Sequence, residues 1–222
     1  MDISTAKTLS AKLQISVVYI VREEYEMILL KDLFESGIGS HLAFKGGTAL
    51  RLAYGSPRFS EDLDFTLISK FSPAKLTNIL KKTAKHFSSI ESVETINKFN
   101  TLFGIIKIRE PHLDRAFSIK IEISKRNGEK NKNYSEKVIR SETSPLTVLA
   151  LVSDLETILI EKEDALKNRK APRDLFDYWY INQLLKKDVK PDFSGFDKTR
   201  VKSELRKLLP RNYWSLVKQW LE

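Results

Sequence analysis

The chain of 222 residues contains no cysteine, which excludes disulfide bonds and thiolate metal sites. No apolar run reaches about 18 residues, so the sequence predicts no membrane-spanning helix and no membrane partner. The apolar stretch 15–21 is flanked by charged residues that fit a helix, which is not the layout of a signal peptide. Only three histidines are present, and their spacing fits neither a metal site nor a catalytic triad. A cytoplasmic protein is therefore expected.

Acidic residues are fewer than basic ones. The chain has 38 lysines and arginines against 29 aspartates and glutamates, which gives a formal net charge of +9. Such an excess serves general solubility or indicates an anionic partner such as a nucleic acid. The length suits one sizeable domain or two small ones, and a hydrophobic content of 41% is ordinary for a globular protein.

A pair of glycines marks a candidate phosphate site. Gly46 and Gly47 follow a short predicted strand, 42–45, and precede a helix that begins near Thr48. Glycine lets the backbone approach a ligand closely, and the start of a helix directs free N–H groups at an anion. A Gly-Gly pair alone is often only a turn. Ser60, farther along, either hydrogen-bonds a phosphate or a carboxylate, or simply ends the loop.

Two aspartates make this stretch more specific. Asp62 and Asp64 lie two residues apart in a predicted strand, 62–68, so their side chains point to the same face while the intervening apolar residues enter a core. Aspartate is depleted in strands, which argues against a merely acidic strand end. Repulsion between the carboxylates is relieved by a cation, and oxygen ligands favour Mg²⁺ or Mn²⁺. Two such ions can clamp the oxygens of a phosphoryl displacement.

These residues resemble a known signature. Gly46-Gly47-Thr48 followed by Arg58-x-Ser60-x-Asp62-Leu63-Asp64-Phe65 looks like the motif of the nucleotidyltransferase superfamily, and within it like the AbiEii/AbiGii family of abortive-infection toxins. The resemblance extends to Lys162 and to the segment Arg173-Asp174-x-x-Asp177, so it covers most of the chain. It implies transfer of a nucleoside monophosphate from an NTP to an acceptor hydroxyl, with release of pyrophosphate.

The resemblance also assigns roles to individual residues. It implies that Glu122, on the polar face of the alternating strand 117–124, supplies a third metal ligand, although an exposed glutamate would look the same. It implies that Lys162 contacts the triphosphate, and that Thr48 offers the hydroxyl that a serine provides in many relatives. The backbone N–H groups of Gly46, Gly47 and Thr48 would hold the phosphates. Asp174 or Asp177 would act as a base or orient the acceptor; the sequence does not choose between them.

The resemblance further implies a biological setting. The expected protein is a toxin of a toxin–antitoxin or phage-defence system, with tRNA as the acceptor and a cognate antitoxin as partner. Two alternatives stay open at this point. One is nucleotidyl transfer to a small molecule or to a protein, and the other is an inactive relative that only binds RNA.

The predicted fold class is α+β, with a nucleotidyltransferase-like mixed sheet flanked by helices and a helical C-terminal region. We predict a nucleotidyltransferase core domain at 1–145 and a C-terminal helical region at 146–222. A turn is expected at Asn127-Gly128 and a lysine-rich loop at 129–137. Ser153 and Glu156 have the spacing of a helix capping box. Strands are further expected at 93–98 and 102–109, and helices within 5–34, 72–86, 153–170, 172–185, 198–209 and 212–221.

Overall fold

The computed structural model describes residues 1–126 and 133–222, and within these ranges the strands form one mixed sheet. Its strands are β1 (Leu42–Lys45), β2 (Asp62–Leu67), β3 (Ile90–Asn97), β4 (Thr101–Ile108), β5 (Phe117–Ser124), β6 (Tyr134–Ser141) and β7 (Ser144–Ser153). Their order across the sheet is β3-β4-β5-β2-β1-β7-β6. The pairs β2–β5 and β1–β7 are parallel, whereas the other neighbours are antiparallel. The α+β fold class is confirmed.

Helices lie on the sheet and beyond it. They are α1 (Ile3–Leu13), α2 (Val17–Phe34), α3 (Gly46–Tyr54), α4 (Pro73–His86), α5 (Leu155–Arg169), α6 (Pro172–Leu184), α7 (Lys198–Leu208) and α8 (Trp214–Leu221). Pro73 and Pro172 occupy first-turn positions, where the missing N–H costs nothing. Gly55 ends α3 in the left-handed conformation, and Gln14 does the same between α1 and α2. None of the helices in the described ranges has the length and apolarity that crossing a membrane requires.

The core confirms the alternation seen in the sequence. Leu63 and Phe65 of β2 are fully buried, as are the three alternating isoleucines of β5. They contribute to a core that also contains buried residues of α2 and α4. The C-terminal helices have an apolar cluster of their own, which includes Phe176, Val201 and Val217. The apolar side chains of β2 and β5 thus face this core, while their polar side chains face the other way.

The C-terminal half of the sheet differs from expectation. Helical structure was expected beyond Pro145, but residues 144–153 form strand β7, and part of the expected loop 129–137 belongs to β6. The reason is that a run of leucine, valine and alanine fits a buried strand and a helix equally well. The change from sheet to helix comes at Ser153, and the division into two domains stays a prediction. The expected turn at Asn127-Gly128 lies outside the described residues.

The N-cap residue of α5 also differs from the prediction. The predicted capping box would begin at Ser153, but Asp154 is the N-cap residue, and its carboxylate accepts a hydrogen bond of 2.8 Å from the backbone N–H of Thr157. Aspartate caps a helix as well as serine does, so two adjacent candidates were present in the sequence. The helix nevertheless begins within two residues of the expected place.

Candidate active site

The diglycine corner joins β1 to α3 and requires both glycines. Gly46 has φ of +77°, and a Cβ there would overlap the carboxylate of Asp64. A Cβ on Gly47 would overlap the guanidinium of Arg58 and approach the hydroxyl of Ser60. α3 begins at Gly46, so the first-turn N–H groups of the helix have no partner within it. Backbone donors and a positive helix end therefore face the place that Asp64 approaches.

The two aspartates are placed side by side by strand register. In β2, Asp64 pairs with Lys45 of β1 on one side and with Glu122 of β5 on the other. Asp62 pairs with Lys120 in the same way. Side chains of paired residues share a face of the sheet. Asp62 and Asp64 of β2 therefore lie on the same face as Lys120 and Glu122 of β5. The structure thus brings together three of the predicted metal ligands with the diglycine corner.

Electrostatics at Asp64 indicate a need for positive charge. Burial, together with the nearby carboxylates of Asp62 and Glu122, raises the pKa of the Asp64 carboxyl to about 6, although the ammonium groups of Lys162 and Lys45 act in the opposite direction. A carboxyl whose ionisation is opposed by burial and by like charges is stabilised in its charged form by a bound cation. The donor set here consists of oxygen atoms only, which fits a hard divalent ion such as Mg²⁺ or Mn²⁺.

The third predicted ligand, unlike the two aspartates, has an ion-pair partner on its own strand. Glu122 forms an ion pair with Lys120 at 2.9 Å between Oε2 and Nζ. Within residues 1–126 and 133–222, no group of three acidic or histidine side chains is already gathered for a metal ion. Asp62 and Asp64 would therefore hold the first ion, and Glu122 would join only by leaving Lys120. Its role as a ligand stays a prediction.

A buried chain of ion pairs ties the C-terminal helices to this corner. Arg58 makes a two-pronged contact with Asp177 of α6, at 2.6 and 2.7 Å. The same carboxylate lies 2.7 Å from Nζ of Lys162 in α5, and Lys162 also reaches Asp174 at 2.9 Å. Arg169 closes the chain with two hydrogen bonds of 2.7 and 2.8 Å to Asp174. Arg58 therefore links the loop before β2 to both helices.

The placement of Asp174 and Asp177 argues for positioning rather than proton transfer. Both are fully buried. Burial alone would raise their pKa values, but Arg169 and Lys162 lower the pKa of Asp174, and Arg58 and Lys162 lower that of Asp177. A carboxylate held ionised by two cations is a weak base. A base role for either residue stays a prediction, and the geometry favours holding Lys162.

Lys162 itself reaches the cleft as expected. Burial lowers the pKa of its ammonium group, but Asp177 and Asp174 outweigh that effect and raise the pKa, so the group stays charged. Two of the three N–H donors of an ammonium group are accounted for by the two aspartates. Lys162 lines the cleft, so its ammonium group lies where an anion in the cleft would bind.

The hydroxyl of Thr48 is not directed at the cleft, while the phosphate-binding role of its backbone N–H stays a prediction. Its hydroxyl is buried and donates a hydrogen bond of 2.5 Å to the backbone carbonyl oxygen of Asp62, so it does not offer a side-chain contact to a phosphate in this structure. The physical reason is that Thr48 stands on the sheet side of α3, where its hydroxyl fixes the start of β2. Ser60, by contrast, lines the cleft beside Gly47.

These groups surround a cleft of about 670 Å³, a size ordinary for a small-molecule site. Its basic lining includes residues that sequence reasoning did not select as site residues: Lys45, Arg58, Lys120, Arg126, Arg169 and Arg173. A signal for two of them was present, because Lys45 precedes the diglycine pair and Lys120 shares the strand face of Glu122. The cleft combines acidic and basic groups, as a site for a cation and a polyphosphate would.

Comparison with known proteins relates the chain to a family and to solved structures. A family model described as nucleotidyl transferase AbiEii toxin, type IV TA system, matches residues 28–213. A search of curated proteins gave no match. Among solved structures, JHP933 from Helicobacter pylori is similar, with 21% identity and a TM-score of 0.58 over 93% of this chain and 80% of that one. A proposed nucleotidyltransferase from H. pylori is similar with 21% identity and a TM-score of 0.52, over 82% of this chain and 74% of that one. At such identities these two structures support the fold.

Proposed function

Because the chain belongs to the AbiEii family of nucleotidyl transferase toxins of type IV toxin–antitoxin systems, we propose that it transfers a nucleoside monophosphate from an NTP to a hydroxyl group of tRNA. Membership of this family implies a cognate antitoxin. The proposal extends to a metal-dependent reaction inside the cell and to a role in phage defence. The observation that carries it is the register that sets Asp62 and Asp64 beside the diglycine corner in one cleft.

Each part of the cleft has a proposed task. The backbone N–H groups at Gly46 and Gly47, together with Ser60 and Lys162, hold the triphosphate. Asp62 and Asp64, with Glu122 after it leaves Lys120, hold Mg²⁺ or Mn²⁺. When bound, the ion supplies positive charge to the phosphate oxygens and the leaving group. Asp177 and Asp174 keep the Lys162 ammonium group charged and aimed at the phosphates.

The proposed reaction is an in-line displacement at the α-phosphorus. An oxygen of the acceptor hydroxyl forms a new P–O bond, and the bond between the α-phosphorus and the bridging oxygen to the β-phosphate breaks. Pyrophosphate leaves with the bonding electron pair, and the hydroxyl proton passes to solvent or to a cleft carboxylate. Most of the catalysis comes from positioning and from charge stabilisation, as is usual in phosphoryl transfer.

Label transfer tests this proposal. The protein is incubated with Mg²⁺, total tRNA and each of the four NTPs in turn, labelled on the α-phosphate. We expect labelled tRNA with at least one nucleotide, and no labelled tRNA when the same nucleotide carries its label on the γ-phosphate. Asp64→Asn should reduce transfer by about 100-fold or more, because the charge that holds the cation is lost. Asp188→Asn, at an exposed position, is the matched control and should leave transfer unchanged.

The other outcomes separate the alternatives. Label on a protein or on a small molecule would move the acceptor assignment to that class. NTP or tRNA binding without any transfer would indicate an inactive RNA-binding relative. Full transfer by Asp64→Asn would remove the proposed metal site.

A further inference from the structure

The row of residues through Asp64 continues past the cleft onto an open part of the sheet. Strand register pairs Asp64 with Glu122, Glu122 with Phe103 of β4, and Phe103 with Ile96 of β3. Adjacent strands lie about 4.8 Å apart, so Phe103 stands roughly 10 Å from Asp64 on the same face. Phe103 thus lies two strands away from Asp64, on the side away from the diglycine corner.

Among residues 1–126 and 133–222, a helix covers this part of the sheet on one face only. Leu80 of α4 lies against Gly104, on the face opposite Phe103. On the open face, Ile96 is 41% exposed and Lys107 is exposed, while Phe103 and Ile105 are half-buried. Partly exposed apolar groups of this kind, arranged in neighbouring strands, form a flat surface. We call Ile96, Phe103 and Ile105 the platform.

The platform is bordered by positive charge. The ammonium nitrogens of Lys98 and Lys120 lie 5.3 and 5.8 Å from the centroid of the Phe103 ring. Lys120 also lines the cleft, as does Arg126 at the end of β5. Both ammonium groups thus lie over the ring, Lys98 from the β3–β4 turn and Lys120 from the neighbouring strand β5. Phe99, at that turn, is 95% exposed and adds a second aromatic group.

We propose that the platform binds an unpaired nucleotide of the acceptor nucleic acid, with its base stacked on Phe103 and its phosphates near Lys98 and Lys120. This inference rests on the proposed function and names how the acceptor is held. A flat aromatic group among lysines suits a single strand, whose bases have exposed faces and whose backbone is anionic. A duplex hides its base faces and could not stack on the ring in this way.

The location gives this binding a purpose. A nucleotide stacked two strands away from Asp64 would place its neighbour in the chain near the cleft, because successive nucleotides are separated by a few ångströms. The platform would then hold the end of the acceptor while the adjacent hydroxyl enters the site. This arrangement predicts a preference for a single-stranded end over a blunt duplex.

Binding measured without NTP tests the platform apart from catalysis. The probes are a fluorescein-labelled single-stranded RNA octanucleotide and a blunt RNA hairpin, with fluorescence anisotropy as the measurement. We expect tighter binding of the single strand, and a loss of roughly 5- to 100-fold in affinity for Phe103→Ala, in line with the stacking energy of one base. Phe103→Trp should retain the affinity. Lys98→Ala should weaken binding and reduce its salt dependence by about one counterion.

Leu149→Ala is the matched control, since Leu149 is 59% exposed on β7 and far along the sheet order from β4. It should not change the affinity, and circular dichroism should show that Phe103→Ala stays folded. Unchanged binding by Phe103→Ala would overturn the platform, as would equal binding of hairpin and single strand or no binding of the single strand. A copurifying protein that blocks this face and is released by Phe103→Ala would also overturn it, in favour of a protein partner.

The two proposals can fail separately. If the single strand binds through Phe103 but no nucleotide is ever transferred, the platform stands and the proposed reaction falls. If label reaches tRNA at the same rate in Phe103→Ala and in the unmodified protein, the reaction stands and the platform falls.

Discussion

At the scale of single residues, the site is built from groups that are unfavourable by themselves. Gly46 has a positive φ and contacts the Asp64 carboxylate, and Asp64 is ionised only against burial and two like charges. The sequence predicted that Asp62 and Asp64 act as a pair, because aspartate is rare inside strands and because residues i and i+2 of a strand share a face. It could not predict the clamp between Arg58 and Asp177, since 119 residues separate them and no local pattern joins them.

Asp64 should make stability depend on pH in a defined direction. Its pKa is raised from an ordinary value of 3.8 to about 6 in the folded protein, so the folded state holds the proton more tightly than the unfolded state does. This contribution to stability is present below about pH 4 and is lost as the pH rises through about 6. Asp64→Asn should therefore raise the free energy of unfolding by about 1–3 kcal/mol at pH 7.5, and change it little at pH 4. Urea denaturation of the variant and of the unmodified protein at both pH values measures this change in the free energy of unfolding.

Mg²⁺ provides the complementary test of the same residue. The ion should raise the melting temperature of the unmodified protein at pH 7.5, because it binds the folded state, and should have a much smaller effect on Asp64→Asn. Equal Mg²⁺ responses of the two proteins, together with no gain in stability from the substitution, would contradict this account of Asp64.

At the scale of elements, the central strands of the sheet and the C-terminal helices have separate tasks. β2 and β5 carry the acids, and their bounds could be predicted because apolar and polar residues alternate in them. β6 and β7 could not, because their residues suit a loop or a helix equally well. Helices α5 and α6 carry Lys162 and its two aspartates, so the position of the lysine depends on how these helices pack.

Asp177→Asn tests whether the ion pairs of Asp177 with Arg58 and Lys162 stabilise the fold. Removing the carboxylate charge leaves Arg58 and Lys162 buried with too little counter-charge, which should cost about 3–5 kcal/mol of stability and weaken NTP binding. Glu222→Gln, in an exposed pair with Lys218, is the control and should cost less than about 1 kcal/mol. Denaturation curves and NTP titrations give both values. If Asp177→Asn kept its stability and NTP affinity but lost turnover, a base role would replace the positioning role.

At the scale of the whole molecule, one sheet organises the proposed functions side by side. The diglycine corner and the aspartates lie at β1 and β2, Lys162 faces them from α5, and the platform extends through β4 to β3. The net charge of +9 was consistent with general solubility or with an anionic partner. It could not predict where such a partner would lie, because that depends on strand order, which places β5 beside β2 although 49 residues separate Leu67 from Phe117.

The central claim is that Asp62, Asp64 and the diglycine corner form a single site for a divalent ion and a triphosphate. The most direct measurement is a crystal structure of the protein with Mn²⁺ and an NTP analogue that cannot be cleaved between the α- and β-phosphates. We expect an anomalous Mn²⁺ peak about 2.0–2.3 Å from oxygens of Asp62 and Asp64, with the triphosphate against the N–H groups of Gly46 and Gly47 and near Lys162. A manganese peak away from both aspartates, or a triphosphate bound outside this cleft, would contradict the account.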